Sequence, residues 1–250
     1  MSEPRSWNET ANIVEKAKKE VGTSISAAKD EIISEVKKAA ESGSSASGVQ
    51  TFTSDGTFTV PAGVHKIFVT AFAGGGGGNA DGGQGGEYVV RRMFAVEPLS
   101  QLEITIGTGG KGWTNAGQSA GYGGATVISG LITLAGGAPG GSTRVRALKA
   151  AAGGASGGSA YSGSNGENSE FSLGGRGGYG SSSGDGKPGG GGGGAGYECG
   201  GDGGEGDYSP GNGKDGGIGA GGGGQGRRYD NRGYAEKAGN GGDGIVIIEW

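Results

Sequence analysis

Six consecutive glycines, Gly189 to Gly194, sit inside a longer glycine tract that runs from about Gly174 to Gly244. Of the 67 glycines in the chain, all but Gly22, Gly43, Gly48, Gly56 and Gly63 lie between Gly74 and Gly244, mostly as pairs and runs. Glycine loses more backbone freedom on folding than any other residue, so such a tract stays disordered unless something specific orders it. Two features point to order. Apolar, strand-like segments thread the first half of the glycine region, and the chain closes on Gly244-Ile245-Val246-Ile247-Ile248-Glu249-Trp250, an apolar β-strand. The tract therefore reads as an insertion whose two ends are pinned in one folded unit.

A left-handed helix with three residues per turn has no internal hydrogen bonds, so its N–H and C=O groups point outward. Side chains hold such helices apart, whereas glycine on the facing sides lets them bond laterally and so pairs the buried backbone without a hydrophobic core. Collagen is excluded, because no strict Gly-X-Y period exists and only six prolines occur. The alternatives to a packed polyglycine array are a disordered Gly/Ser linker or scattered long loops.

An apolar fraction of 32% leaves no room for a large conventional core. The formal net charge is −4 and no Lys/Arg stripe forms, which argues against nucleic acid or an anionic membrane as the main partner. Cys199 is the single cysteine, so a disulfide framework within one chain is ruled out. The first twenty residues lack the apolar run of a signal peptide, and no apolar segment is long enough to span a bilayer. These observations predict synthesis in the cytosol with no membrane insertion.

Ser6-Trp7-Asn8-Glu9 has the form of a helix capping box. Trp7, Val14, Val21 and Ala28 then recur every seven residues, with Ala11, Ile25 and Ile32 four positions after members of that set. This heptad spacing, continued less regularly through Val36, predicts a long N-terminal α-helix over residues 1–42 that serves as a coiled-coil stalk for attachment and oligomerisation. A helix of about 35 residues measures about 50 Å at 1.5 Å per residue. Trp7, Val14, Val21, Ile25, Ile32 and Val36 are its candidate oligomerisation residues, and a homotrimer is the expected state. A fold of the helix back onto the C-terminal domain is the alternative. Residues 43–48 form a Ser/Gly linker. Over 49–250 a glycine-rich domain is expected, with its β base in 49–135 and 245–250 and the polyglycine array and loops mainly in 136–244. Val49–Val60 reads as a strand pair around Asp55-Gly56. Val64–Ala73, Glu87–Val96, Leu102–Gly107, Ala125–Ser129, Leu131–Ala135 and Ile245–Trp250 read as further strands. The fold expected is thus the helical stalk plus a small antiparallel β-sandwich carrying packed polyglycine II helices.

Candidate chemistry is sparse. Gly107-Thr108-Gly109-Gly110-Lys111-Gly112 matches a dinucleotide fingerprint, but a loop rather than a helix follows it. Gly200 to Asp207 resembles one calcium-binding nonapeptide repeat, without its apolar position or a tandem copy; its acids read rather as solvated turn residues. His65, the only histidine, lies in a regular strand with no nucleophile beside it. Cys199 reads as a small filler. Neither an enzyme, a cofactor nor a metal site is expected.

More informative are the islands between the glycine runs, rich in Tyr, Asn, Arg and Ser, which is the composition of adaptable recognition loops. Residues Arg227, Arg228, Tyr229, Asp230, Asn231, Arg232 and Tyr234 form the strongest candidate receptor contact, with Trp113, Tyr179 and Tyr208 as further candidates. Alternatively these aromatics only pack the flanks of the glycine helices.

Phe58-Thr59-Val60-Pro61-Ala62-Gly63-Val64, the strand after it and the run Gly74–Gly78 resemble the glycine-rich domain of bacteriophage tail proteins, as does the closing Gly241–Trp250. The resemblance covers about residues 49–250 and extends in architecture to polyglycine-helix tail-fibre adhesins. It implies a virion appendage that binds a bacterial surface glycan or envelope protein and assembles with other virion proteins. The N-terminal segment is not part of that domain. A similar region occurs in some animal receptor kinases, so fold alone does not fix function. A structural virion fibre or decoration protein is the alternative. An ice-binding protein is argued against by the irregular charged islands.

Overall fold

The computed structural model describes residues 12, 14–24, 29, 31–33, 47–141, 165–168, 172–176, 193–194, 196–206, 211–226 and 237–250. The chain divides into two compact units, Met1–Ala46 and Ser47–Trp250.

In the first unit the expected long helix and coiled-coil stalk are corrected: among the described residues helix is found only at 12, 14–24, 29 and 31–33. The heptad residues described there are open to solvent, with Val14 47%, Val21 57% and Ile32 62% exposed. Helices in proteins draw most of their stability from packing an apolar face, and here that face packs on nothing described. Gly22, Thr23 and Ser24 are also weak helix formers placed together at the end of the first stretch. Trp7, Ile25 and Val36 lie outside the described residues. None of the described helices is long and apolar enough to cross a membrane.

The second unit carries eight strands: β1 (Val49–Phe52), β2 (Gly56–Thr59), β3 (Lys66–Phe72), β4 (Tyr88–Ala95), β5 (Gln101–Thr105), β6 (Thr126–Ile128), β7 (Ile132–Leu134) and β8 (Ile245–Glu249). They form two antiparallel four-stranded sheets, in the orders β1-β8-β3-β4 and β2-β5-β6-β7. The strand pair expected around Asp55-Gly56 is corrected, because β1 pairs with β8 and β2 with β5. Residues 53–55 instead carry the chain from one sheet to the other, and the Asp55 carboxylate accepts the Ile106 amide at 2.8 Å. Alternation then sorts the core: Ile67, Val69, Ala71, Val246 and Ile248 are buried from the first sheet, and Phe58, Leu102, Ile104, Ile128 and Leu134 from the second. The closing Trp250 reaches the Phe58 ring at 5.2 Å, so the last residue ties the two sheets together.

Six strand ends run directly into glycine segments. β3 continues as 73–78, β5 as 107–112 and β7 as 136–140, while 83–87, 121–124 and 239–244 lead into β4, β6 and β8. Hydrogen bonds from 73–78 have a three-residue period. The amides of Ala73 and Gly76 donate to Glu87 and Gln84, those of Gly74 and Gly77 to Gly124 and Gly121, and those of Gly75 and Gly78 to Gly242 and Gly239. Its carbonyls take amides on three further sides: Gly74 and Gly77 from Gly137 and Gly140, Gly75 and Gly78 from Gly110 and Trp113, and Gly76 from Gly222. A segment bonded to neighbours on six sides every third residue is a three-fold extended helix in a hexagonal array. Residues 220–226 form a second such hub. Gly222 and Gln225 donate to Gly76 and Asn79, Gly223 and Gly226 donate to Lys214 and Gly211, and Gly221 and Gly224 accept from Gly201 and Gly204. Glycine is required at these positions because an added Cβ would overlap a neighbouring carbonyl oxygen, that of Ala220 at Gly75 and that of Gly239 at Gly222.

Candidate functional site

Where the array ends, backbone amides run out of neighbouring carbonyls, and side chains of Asn and Asp take their place. Asp243 and Asn240, three residues apart, accept the amides of Gly109 (2.7 Å) and Gly112 (2.9 Å), also three apart. Asp215 and Asn212 do the same for Asn240 (2.7 Å) and Lys237 (3.1 Å). These Asn and Asp side chains therefore hold the rim of the lattice.

The end of the array opposite the sheets gathers the described flanks of the candidate islands. Trp113 lies there half-buried, its amide donating to Gly78 and its carbonyl accepting from Ala238, while Thr114 forms a bridge with Lys237. Gly226 donates to Gly211 and Gly211 to Glu205, which places the chain ends on either side of 207–210 and 227–236 at that same end. Arg227, Arg228, Tyr229, Asp230, Asn231, Arg232 and Tyr234, together with Tyr179 and Tyr208, lie outside the described residues. Among the candidates, the structure thus places Trp113 directly and the attachment points of two islands beside it.

On the flank of the array a shallow cleft of about 660 Å³ is lined by Ser172, Tyr197 to Asp202, Lys214, Asp215 and Gly217. Tyr197 is fixed by an edge contact with the Phe72 ring at 5.5 Å. Each carboxylate is held through one oxygen by the backbone: Glu198 by the Ile218 amide, Asp202 by the Arg176 amide and Asp215 by the Asn240 amide. The second Asp202 oxygen pairs with the Lys214 ammonium at 3.0 Å. Burial opposes ionisation of Asp202, but the Arg176 amide and Lys214 outweigh it and hold the carboxyl below its ordinary value of 3.8. Of the two described acids of 200–207, Asp202 is thus engaged by an amide and an ammonium, and Glu205 is exposed. No group of three or more potential metal ligands occurs among the described residues. The cysteine, Cys199, is exposed in this cleft. Likewise the dinucleotide-like stretch at Gly107–Gly112 is one helix of the array, with Gly110 donating to Gly75.

Sequence reasoning missed Asp202, Lys214 and Asp215 as partners in one place. The one available signal was the Asn-x-x-Asp spacing at 212–215 and 240–243, which matches the three-residue period of the helices it serves.

Compared with known proteins, residues 50–250 match the family model described as the Glycine-rich domain. No match is found among curated proteins.

Proposed function

We propose, for a chain that belongs to the Glycine-rich domain family over residues 50–250, that it is a bacteriophage virion appendage whose glycine array presents receptor-binding loops to a bacterial surface. A glycan or envelope protein is the receptor in this reading, and other virion proteins and further copies of the chain are its partners on the particle. The observation that carries it is the convergence of Trp113 with the attachment points of 207–210 and 227–236 at the end of the array away from the sheets. Binding residues concentrate on loops held by a rigid scaffold, and several copies on one particle turn weak single contacts into avidity. A second reading, a structural fibre or decoration component without receptor binding, is favoured by the dense backbone bonding among the described residues of the array.

The test is a fluorescent fusion of the full chain applied to a panel of bacterial strains, beside a variant with Arg227, Arg228, Tyr229, Arg232 and Tyr234 changed to Ala. Strain-selective staining that the folded variant loses supports the adhesin. A folded protein that stains no strain removes that reading and leaves the structural one.

A further inference from the structure

The flank cleft gathers charged, aromatic and thiol side chains in one place. Among the described residues its walls are rich in acceptors: Glu198, Asp202 and Asp215 carry three carboxylates beside the ammonium of Lys214, and the Arg176 charge also acts on Asp202. Each carboxylate has one oxygen locked by a backbone amide, at 3.0 Å for Glu198, 2.9 Å for Asp202 and 2.7 Å for Asp215. Acceptors fixed in this way lose little further freedom when a ligand binds. Tyr197 is held in place by the Phe72 ring, and Gly200, Gly201 and Gly217 also line the cleft. The Lys214–Asp202 pair offers an ammonium donor and a carboxylate acceptor side by side, the complement of two adjacent hydroxyls, each of which both donates and accepts.

We propose that this cleft is a saccharide-binding site, separate from the far-end loops, that takes a neutral or amino sugar and rejects an acidic one. A donor-rich pyranose satisfies the carboxylates. An amino group adds a charge-assisted bond to one of them, whereas a uronate meets net negative charge. Nothing in this inference depends on the receptor reading above.

Cys199 supplies the readout, being the single thiol of the chain, exposed and part of the cleft wall. The full chain is alkylated with iodoacetamide in the presence of methyl glucosaminide, methyl glucoside or glucuronate, and saturation-transfer NMR follows the same three sugars. The amino sugar and the neutral sugar are expected to slow alkylation several-fold while glucuronate leaves it unchanged. Lys214→Met, which removes an exposed side chain from the surface, is expected to abolish the protection by the neutral sugar with at most a small change in the melting temperature. Three results overturn the proposal: no sugar gives a transfer signal, a sugar binds without protecting Cys199, or glucuronate protects as well as the other two. The second of these locates sugar binding elsewhere on the chain and leaves the far-end loops in play.

Discussion

At Gly75 a single methyl group is enough to break the lattice. The added Cβ would overlap the Ala220 carbonyl, a backbone group that is itself part of the neighbouring hub and cannot swing aside as a side chain does. Overpacking of well-packed interiors costs about 1–3 kcal/mol, occasionally more, and a unit of this size shifts its melting temperature by about 2–4 °C per kcal/mol. Gly75→Ala should therefore melt several degrees lower. Gly130→Ala should cost less, since nothing lies within 4 Å and only its φ of 74° is strained; calorimetry on both variants gives the ranking. Asp202 makes a second prediction at this scale. Its folded carboxyl titrates below the ordinary 3.8, so its contribution is complete above that value and is lost as the pH falls through the lower folded value. Asp202→Asn keeps an acceptor for the Arg176 amide but cannot be discharged, and its melting temperature should fall less than that of the wild type on acidification below pH 3.8. Because this side chain is 39% exposed, the difference should be small and should shrink in added salt.

The element that joins two kinds of structure is β3. Up to Thr70 it is an ordinary sheet strand, and from Ala73 the same chain is the central glycine helix. Phe72 sits at the change and is 0% exposed, stacked on Tyr88 at 5.0 Å and met edge-on by Tyr197 at 5.5 Å. Thr126 braces the same point by donating to the Phe72 carbonyl and accepting the Gly107 amide, both at 3.0 Å. Truncating a buried Phe costs about 3–5 kcal/mol, so Phe72→Ala should lower the denaturant midpoint sharply. It should also speed alkylation of Cys199, because Tyr197 loses its support in the cleft wall. Phe72→Leu, which refills much of the space, should recover most of the midpoint. An unchanged alkylation rate in the destabilised Ala variant would show that the cleft does not depend on this joint.

For the molecule as a whole, the balance of forces differs from that of an ordinary domain. Much of the interior of Ser47–Trp250 is backbone bonded to backbone, and its apolar core is confined to the two sheets and the cluster around Phe72. Apolar surface exposed on unfolding raises the heat capacity and polar surface lowers it. The heat-capacity change of unfolding should accordingly fall below the usual ~12–15 cal/mol/K per residue, giving a flatter stability curve that scanning calorimetry can measure. A value in the usual range would mean that the array contributes little to the cooperative transition.

The sequence alone determined where strands begin and end to within two residues for Val64–Ala73 onward, because alternation of apolar residues has the period of the pleat. It also determined that the glycine runs carry no side-chain core, since glycine has none. It misjudged the first forty residues, where a heptad seam promised a long helix, because periodicity records which residues could be buried and not whether a partner buries them. It misjudged Asp55-Gly56 for a similar reason: a local turn signal cannot say that Phe52 will face Val246 while Phe58 faces Leu102. Only the tertiary structure decided which glycine meets which, since lateral bonding between helices 50 to 170 residues apart leaves no local trace, as in Gly74 with Gly124 and Gly75 with Gly242. The cleft left no local trace either: Asp202 and Lys214 are only 12 residues apart, but they meet because the segments that carry them lie side by side in the array.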